Sequence, residues 1–113
     1  MNCSHEKNYD IKIPEATTRY IIVTVINDDG TPDDLTNYEA SFCMKRGDTK
    51  EIVKKCTVNK NEISTLIEPE DTVGASSAKY EIRIYKNSEV YRVIQGRITI
   101  SCSVHPFTTM PET

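Results

Sequence analysis

Four aspartates around one short segment are the residues best suited to bind a metal ion. Asp28, Asp29, Asp33 and Asp34 surround Gly-Thr-Pro at positions 30–32. Calcium prefers several oxygen ligands from a single loop, but this spacing does not match the calcium-loop pattern D-x-[DN]-x-[DN]-G. Asp, Gly and Pro are also the residues that build polar turns and satisfy their backbone groups. The pattern therefore favours a turn, and we predict no metal and no other cofactor.

The four cysteines do not have the spacing of a metal or redox site. Cys3, Cys43, Cys56 and Cys102 are 40, 13 and 46 positions apart, whereas zinc sites and redox motifs use close pairs such as C-x-x-C. Cysteine also behaves as a small, readily buried hydrophobe, and thiols stay reduced in a reducing compartment. We expect free thiols; the alternative is disulfide pairing, for which the sequence cannot choose among the three possible connectivities.

Both histidines lie near the chain ends, at His5 and His105. A catalytic dyad needs a nucleophile and a base held within hydrogen-bonding distance, and chain ends hold such geometry poorly. We therefore expect solvated side chains, with loose metal binding by Cys3 and His5 or by Cys102 and His105 as the alternative. No acid–base pair has a recognisable spacing, so we predict no catalytic residue and no enzymatic activity.

Composition excludes two classes of partner. The 113 residues are enough for one domain, and their net charge is −3, with 37% hydrophobic residues. A nucleic-acid-binding protein usually carries a net basic field, which is missing here. The longest apolar run, residues 20–26, is far shorter than the roughly 20 residues of a membrane helix. The first residues contain no apolar segment of a secretory signal, so we expect synthesis in the cytoplasm.

Alternation with a period of two predicts β-strands along most of the chain. Tyr80, Ile82 and Ile84 share one face of a predicted strand while Glu81 and Arg83 share the other. Such a pattern is typical of an antiparallel sheet with one solvated side. Residues 38–45 alternate in the same way. Residues 20–26 are apolar on both faces, which predicts a strand covered on both sides or central in a sandwich.

Seven strands are predicted in all. They lie at residues 9–13, 20–26, 38–45, 51–58, 62–67, 80–85 and 90–100, the last with a bend or bulge at Gln95-Gly96. Short strands separated by Gly, Pro, Asn and Asp predict an all-β fold, an immunoglobulin-like antiparallel β-sandwich. Residues 68–77 are predicted to form a loop between the sheets, with at most one helical turn. We expect flexible ends at 1–8 and 103–113 around a domain at 9–102.

Four segments in order resemble a known family. They are the opening strand at 9–13, the run D-G-T-P-D-D-L-T-N-Y at 29–38, the stretch 74–84, and V-I-Q-G-R-I-T-I at 93–100. Together they are similar to the immunoglobulin-like domain that opens upper baseplate proteins of tailed bacteriophages, and to related tail and head-associated domains. The resemblance covers nearly the whole chain and implies a structural role in a virion. One departure is an insertion at 75–79, where the family pattern L-x-x-G-x-Y is interrupted.

Positive charge concentrates around one predicted hairpin. The basic residues are Lys45, Arg46, Lys50, Lys54, Lys55 and Lys60, and residues 68–71 are acidic. Lysines on an exposed strand protect a sheet edge against unwanted pairing, which is the interpretation we favour. The alternative is that the basic and acidic patches of neighbouring copies meet and set the register of an oligomer.

Two tyrosines are further candidate contact residues. Tyr85 and Tyr91 fall on or near the outward faces of the last two strands, and outward aromatic side chains often anchor interfaces. Isolated surface tyrosines are also common. The candidate interface residues are Tyr85, Tyr91, Lys45, Arg46, Lys54 and Lys55.

The function expected from these features is non-enzymatic. We predict a structural component of a bacteriophage virion, in the tail, baseplate or head surface, made in the host cytoplasm. Its expected partners are other virion proteins and, as a further candidate, its own copies, with neither nucleic acid nor membrane. The alternative is an adhesion module for a carbohydrate or host surface. Glycan binders usually present exposed aromatic residues, often Trp, and the absence of Trp disfavours this alternative.

Overall fold

The described part of the chain folds into strands with one short helix. The computed structural model describes residues 7–27, 29–47 and 50–102. Its strands are β1 (Lys7–Asn8), β2 (Ile11–Pro14), β3 (Arg19–Thr24), β4 (Glu39–Arg46), β5 (Glu51–Asn59), β6 (Glu62–Ile67), β7 (Ser77–Lys86) and β8 (Glu89–Ser101). The all-β prediction is confirmed, and each predicted strand overlaps one of β2 to β8. Sheet pairing begins with Lys7, two residues before the predicted domain start, and residues 103–113 lie outside the described part.

The strands form one sheet that curls around a single interior. Neighbouring strands follow the order β1-β8-β7-β4-β5-β6-β3, and β2 also pairs with β8. Within β5, residues up to Cys56 pair with β4, while Thr57 to Asn59 pair with β6. The sheet therefore turns within β5, and its two portions face each other in a nearly closed, barrel-like arrangement. β1 and β2 run parallel to β8, a departure from the predicted purely antiparallel pairing.

The core is built by the alternation that predicted the strands. The buried face of β4 carries Phe42, and that of β7 carries Tyr80, whose ring stacks on Phe42 with centroids 5.9 Å apart. Ile63 and Ile67 of β6 reach the same cluster from the other portion of the sheet. Burying each such side chain contributes about 1.5–3 kcal/mol before the entropy cost of ordering it. These side chains hold the two portions together.

The irregularity of the last hairpin lies two residues from its predicted position. The register between β7 and β8 shifts after Ile82, so that Ile82 pairs with Ile94 and Arg83 pairs with Arg92. Val93 is thus the extra residue, and both Val93 and Ile94 are buried. The bulge turns two successive side chains of β8 towards the interior. The prediction of a bend or bulge at Gln95-Gly96 was wrong.

Gly96 instead allows another part of the backbone to approach β8 closely. A Cβ atom built on Gly96 would lie 2.0 Å from the carbonyl oxygen of Tyr9 and 3.1 Å from the ring of Tyr80. No side chain larger than hydrogen fits at this distance. The glycine therefore allows the segment between β1 and β2 to pack directly on β8.

A single helical turn, α1 (Pro69–Thr72), connects β6 to β7. Pro69 occupies the first turn, where its missing N–H costs nothing. The Asp71 carboxylate accepts a hydrogen bond from the Glu68 amide at 2.8 Å and so caps the turn. The segment combines the predicted loop with its one helical turn. No helix in the described ranges has the length and apolarity needed to span a membrane.

The connection between β2 and β3 is tied to this helical turn by buried polar groups. Ala16 has a positive φ of 59°, and its amide donates to Oγ1 of Thr72 at 2.8 Å. The amide of Gly74 donates to Oε2 of Glu15 at 2.7 Å. Buried polar groups must be hydrogen-bonded to avoid a desolvation cost. The two connections therefore hold each other in place.

Candidate interaction surfaces

The acidic segment forms a hydrogen-bonded turn. The Asp29 carboxylate accepts hydrogen bonds from the amide of Thr31 at 3.0 Å and from its hydroxyl at 2.6 Å. Asp34 accepts the same pair from Thr36. These hydrogen bonds, the side-chain ones first, lower the pKa of both carboxyl groups. The oxygens serve their own turns, as the polar-turn interpretation expects, and Asp28 lies outside the described residues.

The other candidates for metal chemistry do not meet in the described part of the chain. His5, His105 and Cys3 lie outside it. Cys43, Cys56 and Cys102 are free thiols, as expected for these three. Within the described ranges, no group of three or more His, Cys, Asp or Glu side chains is arranged to hold a metal ion.

A shallow charged groove lies on the outer face of β4, β7 and β8. It has a volume of about 570 Å³ and is lined by residues that include Lys45, Lys79, Glu81, Arg92 and Arg97. Glu81 pairs with Arg83 at 2.9 Å and with Arg92 at 3.4 Å. Both positive and negative groups line the groove. The surface suits polar contacts with a flat partner and does not present a field of one sign.

Cys43 lies in this groove but is not an activated nucleophile. Burial, followed by the hydrogen bond to Glu51 and the charge of that residue, raises the pKa of the Cys43 thiol. The Sγ atom donates to Oε1 of Glu51 at 3.5 Å. Because the thiolate is the reactive form of cysteine, this environment keeps the side chain in its unreactive state.

Arg46 is an interior residue, contrary to its predicted place in an exposed basic patch. Its side chain is 6% exposed. The guanidinium donates to the carbonyl of Asp71 at 3.2 Å and to that of Val73 at 2.7 Å. Arg46 therefore fastens the end of β4 to the α1 segment. A surface contact through this residue does not fit the structure.

The rest of the basic patch divides into two kinds of lysine. Lys54 is half-buried, and its ammonium group lies 2.9 Å from Asp71 and 3.3 Å from Glu68 in the same chain. The hydrogen bonds and charges of these carboxylates raise the pKa of Lys54 against the opposing effect of burial, the largest single influence. Lys45 and Lys55 are exposed on neighbouring strands. Lys45 and Lys55 are thus the two exposed lysines among the candidate interface residues.

Tyr85 and Tyr91 are half-buried. The Tyr85 hydroxyl lies 2.8 Å from the hydroxyl of Ser41. Tyr91 packs against the core and donates to Oε2 of Glu89 at 2.7 Å. Both rings are therefore held by their own chain, and their use as interface anchors stays a prediction.

The most exposed apolar surface was not predicted. On β3 and just beyond it, Tyr20 is 69% exposed, Ile22 62% and Ile26 58%. β3 stands at the end of the strand order, so the prediction of a strand covered on both sides was wrong. The alternation was visible in the sequence, because Tyr20, Ile22, Thr24 and Ile26 share one face. What the sequence lacked was any sign that this face would be left exposed by the described strands.

Comparison with known proteins gives a structural likeness but no sequence match. No protein-family model matches the sequence, and no curated protein matches it. Among solved structures, the N-terminal domain of phage TP901-1 ORF48 has a similar fold, with a TM-score of 0.55 and 7% sequence identity. The match covers 80% of this chain and 81% of that one. The chain is thus an all-β domain whose fold is similar to that of a domain from a phage protein.

Proposed function

We propose that this chain is a structural component of a bacteriophage virion that acts by binding other virion proteins. The observation that carries the proposal is the likeness to the TP901-1 ORF48 domain over four-fifths of both chains. The family resemblance of the sequence motifs points in the same direction. In this proposal the curled sheet is an immunoglobulin-like sandwich, and the domain belongs to the tail, with the baseplate as its first candidate location.

The surfaces of the described residues support a binding role. Exposed apolar side chains grouped on one strand face, such as Tyr20 and Ile22, are typical of protein contacts. The charged groove on the opposite portion of the sheet is shallow and mixed in sign. Lys45 borders this groove and Lys55 lies on the neighbouring strand. These features suit broad contacts between folded proteins.

We further propose that the domain is not an enzyme. In the groove, the most concave surface we describe, Cys43 is held as a thiol by burial and by Glu51. Of the neighbouring charged side chains, Glu81 forms an ion pair with Arg92. An active site usually combines a pocket with an activated nucleophile or an acid–base pair. Its partners in this proposal are proteins of the particle, with no nucleic acid and no membrane.

The direct test is to locate the chain in particles. Phage particles produced from the genome that encodes the chain are purified by density gradient and analysed by mass spectrometry. Immunogold labelling with antibodies against the chain then places it on the tail, baseplate or head. We expect a stoichiometric component at the tail. An abundant product in the lysate that is missing from purified particles would refute the proposal, and binding to host glycans instead would favour the adhesion alternative.

A further inference from the structure

The free edge of β3 has a defined set of backbone groups. β3 pairs with β6 in an antiparallel register in which Ile21 lies opposite Thr65 and Val23 opposite Ile63. The next position continues this register, because the amide of Val25 donates to the carbonyl of Asn61 at 2.8 Å. In an antiparallel pair, alternate residues direct both their N–H and C=O to the same neighbour. The backbone N–H and C=O groups of the odd-numbered β3 residues therefore point towards β6.

The backbone groups of the even-numbered β3 residues point to the side away from β6. The N–H and C=O groups of Tyr20, Ile22 and Thr24 point away from β6, and no described strand pairs with them there. The same residues, together with Ile26, carry the exposed side chains of this face. We call this strip, the side chains of Tyr20, Ile22, Thr24 and Ile26 with the unpaired backbone beside them, the β3 edge.

The β3 edge lacks the devices that normally prevent strand pairing. Proteins protect exposed edges with lysine, proline, bulges or very short strands. Residues 20–26 contain no charged residue and no proline, and the pairing with β6 runs without a register shift. The unprotected edge is therefore suited to pair with a strand of another molecule.

We propose that the β3 edge pairs with the β3 edge of a second copy of this chain. The partner strand runs antiparallel about a two-fold axis, so that one surface binds its own equivalent. A two-fold axis brings like residues together, which a charged edge would resist and a neutral one permits. The two sheets then join into one, and the exposed apolar faces become continuous.

The backbone directions restrict the register of this pairing, and among the allowed registers we propose one centred beside Val23. Outward-facing residues must lie opposite outward-facing residues, so even-numbered positions meet even-numbered positions. An axis beside Val23 places Ile22 opposite Thr24 of the second copy and Tyr20 opposite Ile26 of the second copy. Cross-strand pairs of aromatic and β-branched side chains stabilise sheets.

The ends of the paired strands are complementary in charge. In this register, Arg19 of each copy lies opposite Asn27 of the other, at the turn that carries Asp29. The Thr31 hydrogen bonds keep the Asp29 carboxyl ionised by lowering its pKa. A basic residue of each copy therefore lies near the acidic turn of the other, on both sides of a neutral centre, which favours the antiparallel orientation over a parallel one.

The proposal is tested with the full chain by sedimentation velocity over a range of concentrations. A short strand pair buries less surface than a standard interface, so we expect a monomer at about 5 µM and a dimer towards about 500 µM. The dimer should persist in about 0.5 M NaCl, because its centre is apolar and salt screens only exposed charges. A monomer at every concentration would overturn the proposal, as would a dimer that salt dissolves.

Two substitutions locate the contact on β3. Ile22→Lys places a charge on the edge, and Thr24→Pro removes an outward N–H that β6 does not use. Each should raise the dimer dissociation constant by at least about tenfold while the circular dichroism spectrum stays that of the parent. The matched control is Val53→Lys, since Val53 is 66% exposed on β5 and should leave the dimer intact. Loss of the dimer with Val53→Lys but not with Ile22→Lys would overturn the assignment.

Amide hydrogen exchange separates a second copy from the chain's own ends. The amides of Tyr20, Ile22 and Thr24 should exchange rapidly in the dilute monomer and slowly at dimer concentrations. Protection in the monomer that disappears when residues 103–113 are removed would show that the chain's own segment covers the edge, which overturns the proposal. This inference does not depend on the proposed virion role. A dimer that is absent from particles would refute only the virion role, and a monomer that is present in particles would refute only the dimer.

Discussion

Gly96, Tyr9 and Tyr80 form a contact in which backbone and side chain constrain one another. The Tyr80 hydroxyl donates to the carbonyl of Tyr9 at 2.5 Å, and the absence of a side chain on Gly96 lets that carbonyl approach β8. Tyr80 also stacks on Phe42 in the core. Contacts among a few atoms of Gly96, Tyr9 and Tyr80 therefore determine where the segment between β1 and β2 lies.

Gly96→Ala should destabilise the fold by about 1–3 kcal/mol, because the new methyl group would overlap the Tyr9 backbone. Urea denaturation measures the change in the free energy of unfolding. The control is Gly47→Ala, where the nearest atom to a new Cβ is the Ser77 carbonyl oxygen at 3.9 Å. Equal effects at both glycines would contradict the close-approach role of Gly96.

Tyr80→Phe should cost about 1 kcal/mol through loss of the hydrogen bond to Tyr9. Burial, followed by the charge of Asp10, raises the pKa of Tyr80 from 10.0 to about 12. The folded state holds this proton more tightly than the unfolded state. The stabilisation is therefore complete below pH 10 and is lost as the pH rises towards 12.

Measuring the free energy of unfolding near pH 8 and near pH 11 isolates the effect of the raised Tyr80 pKa. The parent protein should lose stability between the two pH values by more than Tyr80→Phe does. A parent and a Tyr80→Phe variant with the same pH dependence would exclude a special environment for Tyr80.

At the scale of elements, the β2–β3 connection, α1 and the end of β4 form one polar junction. Thr72 accepts from the backbone of Ala16, Glu15 accepts from Gly74, and Arg46 donates to two carbonyls of the α1 segment. The contacts of Thr72 with Ala16 and of Arg46 with Asp71 are buried, and the other two are partly buried. These hydrogen bonds replace water that the fold excludes. Segments that are distant in sequence are thereby fixed at one corner of the sheet.

Thr72→Val should destabilise the protein by about 1–3 kcal/mol, because it keeps the shape of the side chain but leaves the Ala16 amide without its acceptor. Thermal and urea unfolding measure the loss. Thr57→Val on the exposed face of β5 is the control and should change stability by less than about 0.5 kcal/mol. An unchanged stability in Thr72→Val would mean that water or another group satisfies the Ala16 amide.

The edge strand shows how an element acquires a role that its composition conceals. β3 has the apolar character of a central strand, yet the strand order places it last. Its outer face and free backbone are therefore available to a partner. The dimer proposed above gives β3 the neighbour that its sequence suits.

At the scale of the whole molecule, charges and apolar groups have separate roles. In the α1 region, Lys54 pairs with Asp71 and Glu68 of the same chain. This pairing within the chain occupies some charged residues of the basic patch and of the acidic patch at 68–71, which were the alternative candidates for contacts between copies. The apolar β3 edge is left as the surface for association. Assembly through it would depend on strand pairing and apolar contact more than on salt.

Alternation along the chain determined the strands and most of the core. Phe42, Ile82 and Ile84 were predicted on one face of their strands, and all three are fully buried. Such a pattern is local, because side chains in a strand alternate whatever the strand pairs with. The all-β class, the turn at residues 27–31 and the approximate strand bounds follow from the same local rules.

Only the tertiary structure decided which faces are covered. Arg46 became an interior residue because carbonyls about 25 positions away meet its guanidinium, and Gly96 was required because Tyr9 passes over it. β3 became an edge because the curled sheet ends there. These outcomes depend on which strands become neighbours, and alternation within a strand carries no information about its neighbours.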